Sequence, residues 1–489
     1  MESIVSYESF GAVGDGVKDD LPALFKAHEH ANAHNLPVAA RPDATYHLGS
    51  RALTAVIETN TDWNTARFTV DDTEVEDHKK SLFEVRSRHA PVQLPLSHLA
   101  RDQKHIDIKL ECDYHVLVEN DQRRIYIRRG LNQNSGVPLR DCFVLRRNGQ
   151  IESPIDWHYD AITRMEARPI DDEKLVVRGG VFTTLANRME QEVGYNYWAR
   201  NITVTRSNTE IVGLTHYVAG ETAVGHPYSG FLSLQQCAYI TLRDCFASGH
   251  KTYSTLGAAG KPVNMGSYDY NANNVVGLRM VDCRMNHLTD RTRWGVIGSN
   301  FCKDILLENC ELSRMDTHMG VSGRYDIRGC TLGHMGLNAI GRGHLTIEDS
   351  TLYGSALVAF RRDYGSTWEG DLHIRNSRWI PACGDPIWPH LINVSNDGTH
   401  DFGYPCSMPH SVEIDGLYID DRNHPADYTG PYIFTNPAGT DSQPLAQPHP
   451  YTPCRQLSVR NVQTASQRPL QLTPDPQWAT DLIVEGVDV

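Results

Sequence analysis

The sequence predicts an all-β fold: a right-handed parallel β-helix, a solenoid of stacked coils covered at its N-terminal end by one helix. Three observations carry this prediction. A short phrase with one apolar face recurs along most of the chain, a small or thiol side chain often closes it, and an amphipathic segment precedes the first coils. The phrase reads LTIEDS from Leu345, LHIRNS from Leu372, VEIDGL from Val412, LSVRNV from Leu457 and LIVEGV from Leu482. Towards the N-terminus it becomes YDIRGC from Tyr325, ILLENC from Ile305, LRMVDC from Leu278 and ITLRDC from Ile240, with echoes LVVRGG from Leu175 and ITVTRS from Ile202. Alternating apolar and polar residues make a strand with one buried face. The polar pair and small residue then turn the chain out of the strand. A single coil cannot bury its inner face alone, so stability comes from stacking.

Cys245, Cys283, Cys310 and Cys330 hold one place in their phrases, and Ser350 and Ser377 continue the series. Equivalent positions on stacked strands lie about 4.8 Å apart, so an interior ladder of small side chains is expected. A metal or disulfide cluster is the weaker reading, because no CxxC pair or metal-type spacing occurs. The eleven cysteines read as mostly buried thiols in a reducing compartment.

An open coil end exposes apolar residues and strand edges. The segment LPALFKAHEHANAH from Leu21 reads as the helix that covers it, with Asp19 or Asp20 as cap and Pro22 in the first turn. The expected organisation is one domain over 1–489. Within it, 1–47 hold the opening motif and helix, 48–155 irregular early coils with an insertion, and 156–489 regular coils. The stretch HVLVENDQRRIYIRR from His115 reads as hairpin-like.

A net charge of −14 with 22% charged residues describes a folded, soluble chain and opposes a nucleic-acid partner, whose phosphates it would repel. Local Arg and Lys clusters remain able to hold acidic glycans. No apolar run is long enough for a bilayer, so no membrane partner is expected. The start MESIVSYESFGAVGDG has neither the basic nor the apolar region of a signal peptide, which makes the cytoplasm the expected location. No cofactor or metal is expected, and the sequence leaves the oligomeric state open.

The opening SFGAVGDGVKDDLPALFKA, from Ser9 to Ala27, resembles the N-terminal motif of the pectate-lyase-like superfamily of parallel β-helix proteins. That superfamily includes polygalacturonase-type glycosidases, polysaccharide lyases and phage tailspike depolymerases. The motif shapes the turn before the covering helix, so the resemblance implies fold rather than chemistry. The middle of the chain, from HKTYSTLGAAG at His250 to HDFGYPCSMP at His400, resembles a bacterial branch of the superfamily, to which no particular reaction attaches. The polygalacturonase signature of Asn-Thr-Asp and paired Asp motifs on consecutive coils is absent.

The richest chemistry lies between Lys251 and Asp401. TRWGVIG from Thr292, THMGVSG from Thr317 and GHMGLNAIG from Gly333 align as successive strands, which puts Arg293, His318 and His334 in one row and Trp294, Met319 and Met335 in the next. Asp316, two residues before His318, lies on the same side of an extended strand and is placed to orient that imidazole. The turn FRRDYGSTWEG from Phe360 adds Arg361, Arg362, Asp363, Tyr364 and Trp368. Guanidinium forks match carboxylate or sulfate oxygens, and aromatic faces stack on sugar rings. Lys251, Tyr253, Asp269, His400 and Asp401 complete the set expected along one groove.

Three functions fit. The first is a glycoside hydrolase acting on an oligo- or polysaccharide, with Asp316 and Asp363 as the acid and base pair and His318 and His334 in support. The second is a polysaccharide lyase, in which Arg361 or Arg362 neutralises a uronate and His318, His334, Lys251 or Tyr253 removes the proton. The third is a non-catalytic carbohydrate-binding or fibre β-helix.

Overall fold

A computed structural model describes residues 4–128, 134–186, 197–221, 228–248, 252–256, 259–396, 400–437 and 451–485. The chain is the expected solenoid. One row of inward residues runs parallel through Leu175, Thr209, Ile240, Leu278, Ile305, Tyr325, Leu345, Leu372, Val412, Leu457 and Val484. The phrase is therefore a physical register. Two members move. Ile202 pairs with Phe83 and Leu232 on another face, and Thr209 takes its place in the row. In the last coil Val484, rather than Leu482, sits beside Leu457.

The turn closing each phrase has one conformation. Asp244, Asp282, Asn309, Gly329, Asp349, Asn376, Gly416 and Asn461 all have φ between 44° and 79°. Asp, Asn and Gly enter this left-handed region most readily, which explains why the phrase tolerates only them there. The side chains that follow form the interior ladder: Cys310 N donates to Cys330 Sγ at 3.4 Å, Cys330 N to Ser350 Oγ at 3.0 Å, and Ser350 N to Ser377 Oγ at 3.2 Å. All eleven cysteines are free thiols.

The covering helix spans Leu21–His34 and buries Leu21, Ala23, Leu24, Ala27, His28 and Ala31. Asp19 Oδ1 accepts from Leu21 N at its start. Asp20 instead accepts from Val13 N and Gly14 N and so folds the opening motif onto the helix. No helix among the described residues is long and apolar enough to cross a membrane.

The early coils are regular up to Phe83–Val85, whose residues pair directly with Ile202–Val204. The insertion begins after them, and Leu175–Arg178 resumes the solenoid. Its core is a four-stranded antiparallel sheet of Tyr114–Ile125, Val137–Leu145, Ile151–Glu152 and Arg164–Pro169. The stretch from His115 is not a hairpin. It is one long strand whose antiparallel partners are Val137–Leu145 and Arg164–Pro169. The sheet docks on the solenoid flank, where His115 Nε2 lies 2.8 Å from Asn274 O and Cys142 Sγ 3.1 Å from Phe301 O.

Candidate active-site groove

On a second face of the solenoid, Asn271, Ile297, Asp316, Asn338, Ala359 and Asn393 occupy one row on successive strands. Asn338, Ala359 and Asn393 line a groove of about 510 Å³, together with Tyr268, Trp294, Arg314, His318, Arg361 and Arg362. Its described lining residues include three arginines and no carboxylate.

Asp316, at the end of the Glu311–Asp316 strand, is fully buried. Arg361 Nη1 donates to its two oxygens at 2.9 and 3.0 Å, Arg314 Nη2 lies 3.1 Å from Oδ2, and Tyr268 OH donates to Oδ2 at 3.4 Å. With its amide turned so that the oxygen faces the second guanidinium, Asn338 accepts from Arg314 Nη2 at 3.0 Å and Nε at 3.1 Å. The Arg314 guanidinium carbon lies 5.1 Å from the centre of the Trp294 ring, and Trp294 meets Tyr268 edge-on at 5.9 Å. Gly266 lets the indole lie there, since a Cβ at that position would sit 1.8 Å from Trp294 Cδ2.

His318 lies in the turn that follows the strand, and its Nε2 shares a 2.7 Å hydrogen bond with Tyr364 OH. Tyr364 comes from the Arg362–Tyr364 turn and is itself packed edge-on against Tyr126 of the insertion, 5.4 Å between centres. Tyr126 also fills the space beside Gly320, where a Cβ would lie 2.6 Å from its hydroxyl. The insertion thus backs the histidine turn from behind. Nothing in the order of residues 114–128 signals this support.

Several expected placements change. Arg293, His318 and His334 do not share a row, because Arg314, Met315 and Asp316 pair with Gly336, Leu337 and Asn338. The His-Met-Gly triplet is a turn in one coil and strand in the next, where a register shift follows Leu312. His334 Nδ1 lies 3.3 Å from Cys383 Sγ, and burial and the charge of Arg291 lower its pKa. Arg293 is paired with Glu221 at 3.0 Å and Asp290 at 3.4 Å. Trp368 is no stacking platform, being fully buried against Phe360 at 6.0 Å. Asp269 is likewise buried, 3.8 Å from His216 Nδ1. His318 is oriented by Tyr364, while Asp316 holds arginines.

Lys251 lies outside the described residues, as do the side chains of Tyr253, Asp363, His400 and Asp401. The backbone puts Tyr253 opposite Met265 in a hairpin, Asp363 in the turn beside Arg361, and His400 and Asp401 opposite Arg128 and Ile127 of the insertion. Arg314 and Asn338 are among the groove residues that sequence reasoning missed. Arg314 stands two residues before Asp316, on the same side of the strand, and that spacing was the available signal. Among the described residues no group of three or more His, Cys, Asp or Glu side chains is arranged to hold a metal ion.

No family model matches the chain. A stretch of 112 residues is 28% identical to a capsule KL64-specific depolymerase of Klebsiella phage P510, covering 19% of this chain and 11% of that protein. Among solved structures, the tailspike protein gp49 of Pseudomonas phage LKA1 superposes with a TM-score of 0.47 at 15% identity, over 94% of this chain and 81% of that one. The surface adhesin PfbA of Streptococcus pneumoniae gives 0.46 at 9% identity, over 96% and 100%. One stretch of the chain is thus similar to a phage capsule depolymerase, and the parallel β-helix is the fold that the opening motif implied.

Proposed function

We propose that this chain is a carbohydrate-active enzyme that cleaves an acidic polysaccharide in the groove by β-elimination. His318 is the base, and Arg361 and Arg362 face the uronate carboxylate. The observation that carries this reading is the groove's charge: three arginines line it, and the one carboxylate tied to two of them is buried. Elimination needs a base and a cationic group that stabilises negative charge developing on the substrate carboxylate. In the tautomer whose Nε2 donates to Tyr364, His318 Nδ1 is the basic atom. Arg361 is fixed by Asp316, so its charge is preorganised for the substrate.

Hydrolysis would need two carboxylates at the scissile bond. Asp316 is closed to the groove and engaged by two guanidiniums, which argues against it as the acid. Polysaccharide as substrate draws support from the capsule depolymerase that one stretch resembles.

Uronate-containing polysaccharides are incubated with the protein while ultraviolet absorbance of the unsaturated product and reducing ends are followed together. Both signals should rise, and His318→Ala should lower the rate about 10²–10⁴-fold. Reducing ends without the ultraviolet signal make it a hydrolase, and neither signal across the panel makes it a binding protein. Either result rejects elimination.

A further inference from the structure

The insertion sheet meets the solenoid at one buried cluster of charge. Lys303, in the Cys302–Glu308 strand, places Nζ 2.8 Å from Asp141 Oδ1 and 3.3 Å from Asp156 Oδ2, and it donates to Pro154 O at 2.7 Å. Asp141 belongs to the Val137–Leu145 strand of the insertion, and its side chain and that of Lys303 are each 1% exposed. Asp156 accepts from Ser322 Oγ at 2.7 Å, and Arg342 Nη1 lies 3.7 Å from its other oxygen. The Asp156 backbone N–H donates to Asp141 Oδ2 at 2.7 Å. Beside the cluster lies a cavity of about 40 Å³, lined by Asp141 and Asp156 together with aromatic side chains such as Tyr126 and Phe301 and the guanidinium residues Arg140 and Arg342.

A plain buried ion pair is the simpler account, but two features go beyond it. The Lys303 ammonium lies within 3.3 Å of two carboxyl groups, and burial raises the Asp141 carboxyl above its ordinary range although Lys303 opposes the shift. Buried ion pairs also recover their desolvation cost poorly, whereas an amide carries no charge to desolvate.

We propose that Lys303 and Asp141 condense into an intramolecular isopeptide bond that joins the insertion covalently to the solenoid. The two carboxylates hold Lys303 charged, so the reaction begins when Lys303 passes a proton to Asp141 and leaves a free amine beside a carboxylic acid. The amine attacks Asp141 Cγ, a C–N bond forms, and the Asp156 N–H stabilises the charge on Oδ2. The Asp156 carboxylate takes a proton from the nitrogen and delivers it to the departing hydroxyl. The C–O bond breaks and one water leaves, so the atoms balance without an oxidant or a cofactor. The adjoining cavity of about 40 Å³ has room for that water, which needs about 10–15 Å³ on the same measure. Burial supplies the proximity that makes an unactivated acid and amine react.

Denaturing mass spectrometry of the intact wild-type chain tests this without any variant. The expected mass is one water below that of the sequence, and tandem spectra of a digest should contain a branched peptide linking Lys303 to Asp141. Lys303→Arg and Asp156→Ala, the second of which keeps both reacting groups, should return the full mass. A wild-type chain at full sequence mass overturns the proposal. So does a water deficit that maps to another linkage or to an aspartyl succinimide.

Discussion

Replacing Asp316 with Asn tests how the groove is built. The side chain is fully buried, and its partners Arg314 and Arg361 are 7% and 10% exposed, so solvent screens the cluster little. Asn keeps the volume and one acceptor oxygen. It removes the charge and turns a donor towards guanidinium groups that already donate at 2.9 and 3.0 Å. Breaking a buried charge cluster in this way costs about 3–5 kcal/mol, against at most about 1 kcal/mol for an exposed pair. Arg284 and Glu311, 59% and 45% exposed at 2.8 Å, provide the internal control. Denaturant midpoints measure the global effect. Because stacked coils need not unfold together, hydrogen exchange of the amides in 311–316 and 361–364 reads the local one. Exchange there should quicken about 10²–10⁴-fold in Asp316→Asn, at one decade per 1.4 kcal/mol, and hardly at all in Arg284→Ala. A loss below about 1 kcal/mol in Asp316→Asn would refute the view that Asp316 organises the arginines.

Two further predictions concern the frame. His28 and His115 are buried, which lowers their pKa values from 6.5 to about 3 and about 4. The unfolded chain takes up these protons as pH falls through 6.5 while the folded chain does not, so stability is full above that value and drains as pH falls towards 4. His115 alone should account for about 3 kcal/mol, and His115→Gln should flatten the decline of the unfolding midpoint between neutral and mildly acidic buffer. At the left-handed turn position Asp349, with φ of 50°, Asp349→Val should cost about 1–2 kcal/mol. Asp349→Gly should stay within about 0.5 kcal/mol of the parent, as thermal unfolding will measure.

The repeat was legible because its physics is local. Alternation, a left-handed turn residue and a small side chain fit within six positions, so Leu345 and Leu372 could be paired without knowing what lay between them. The groove was less legible because its register depends on where a strand ends. The same His-Met-Gly letters follow Thr317 and Gly333, yet Asp316 is the last strand residue in the first coil, whereas Thr331–Asn338 continues through the triplet in the next. Spacing by two residues pointed from Asp316 both forward to His318 and back to Arg314, and the strand contains only the second. Trp368 read as an exposed platform because it follows a charged turn, but it begins the long Trp368–Trp379 strand and faces inward. The contribution of Tyr126 was invisible for a different reason. It is brought by an insertion far away in sequence, and no periodicity reports such contacts.

Coil length varies along the stack while strand register does not. The row advances through Ile305, Tyr325 and Leu345 with little chain between them, but through Leu372, Val412 and Leu457 with much more. The groove floor is thus assembled where the polypeptide is most economical, and Trp294 and Asn393, from the coils on either side, help to bound it. Such a scaffold separates two design problems. Lengthening or trimming the flanking loops would reshape what the trough admits while leaving the floor's pairing undisturbed, so one chassis could be refitted to new polymers by editing its banks alone.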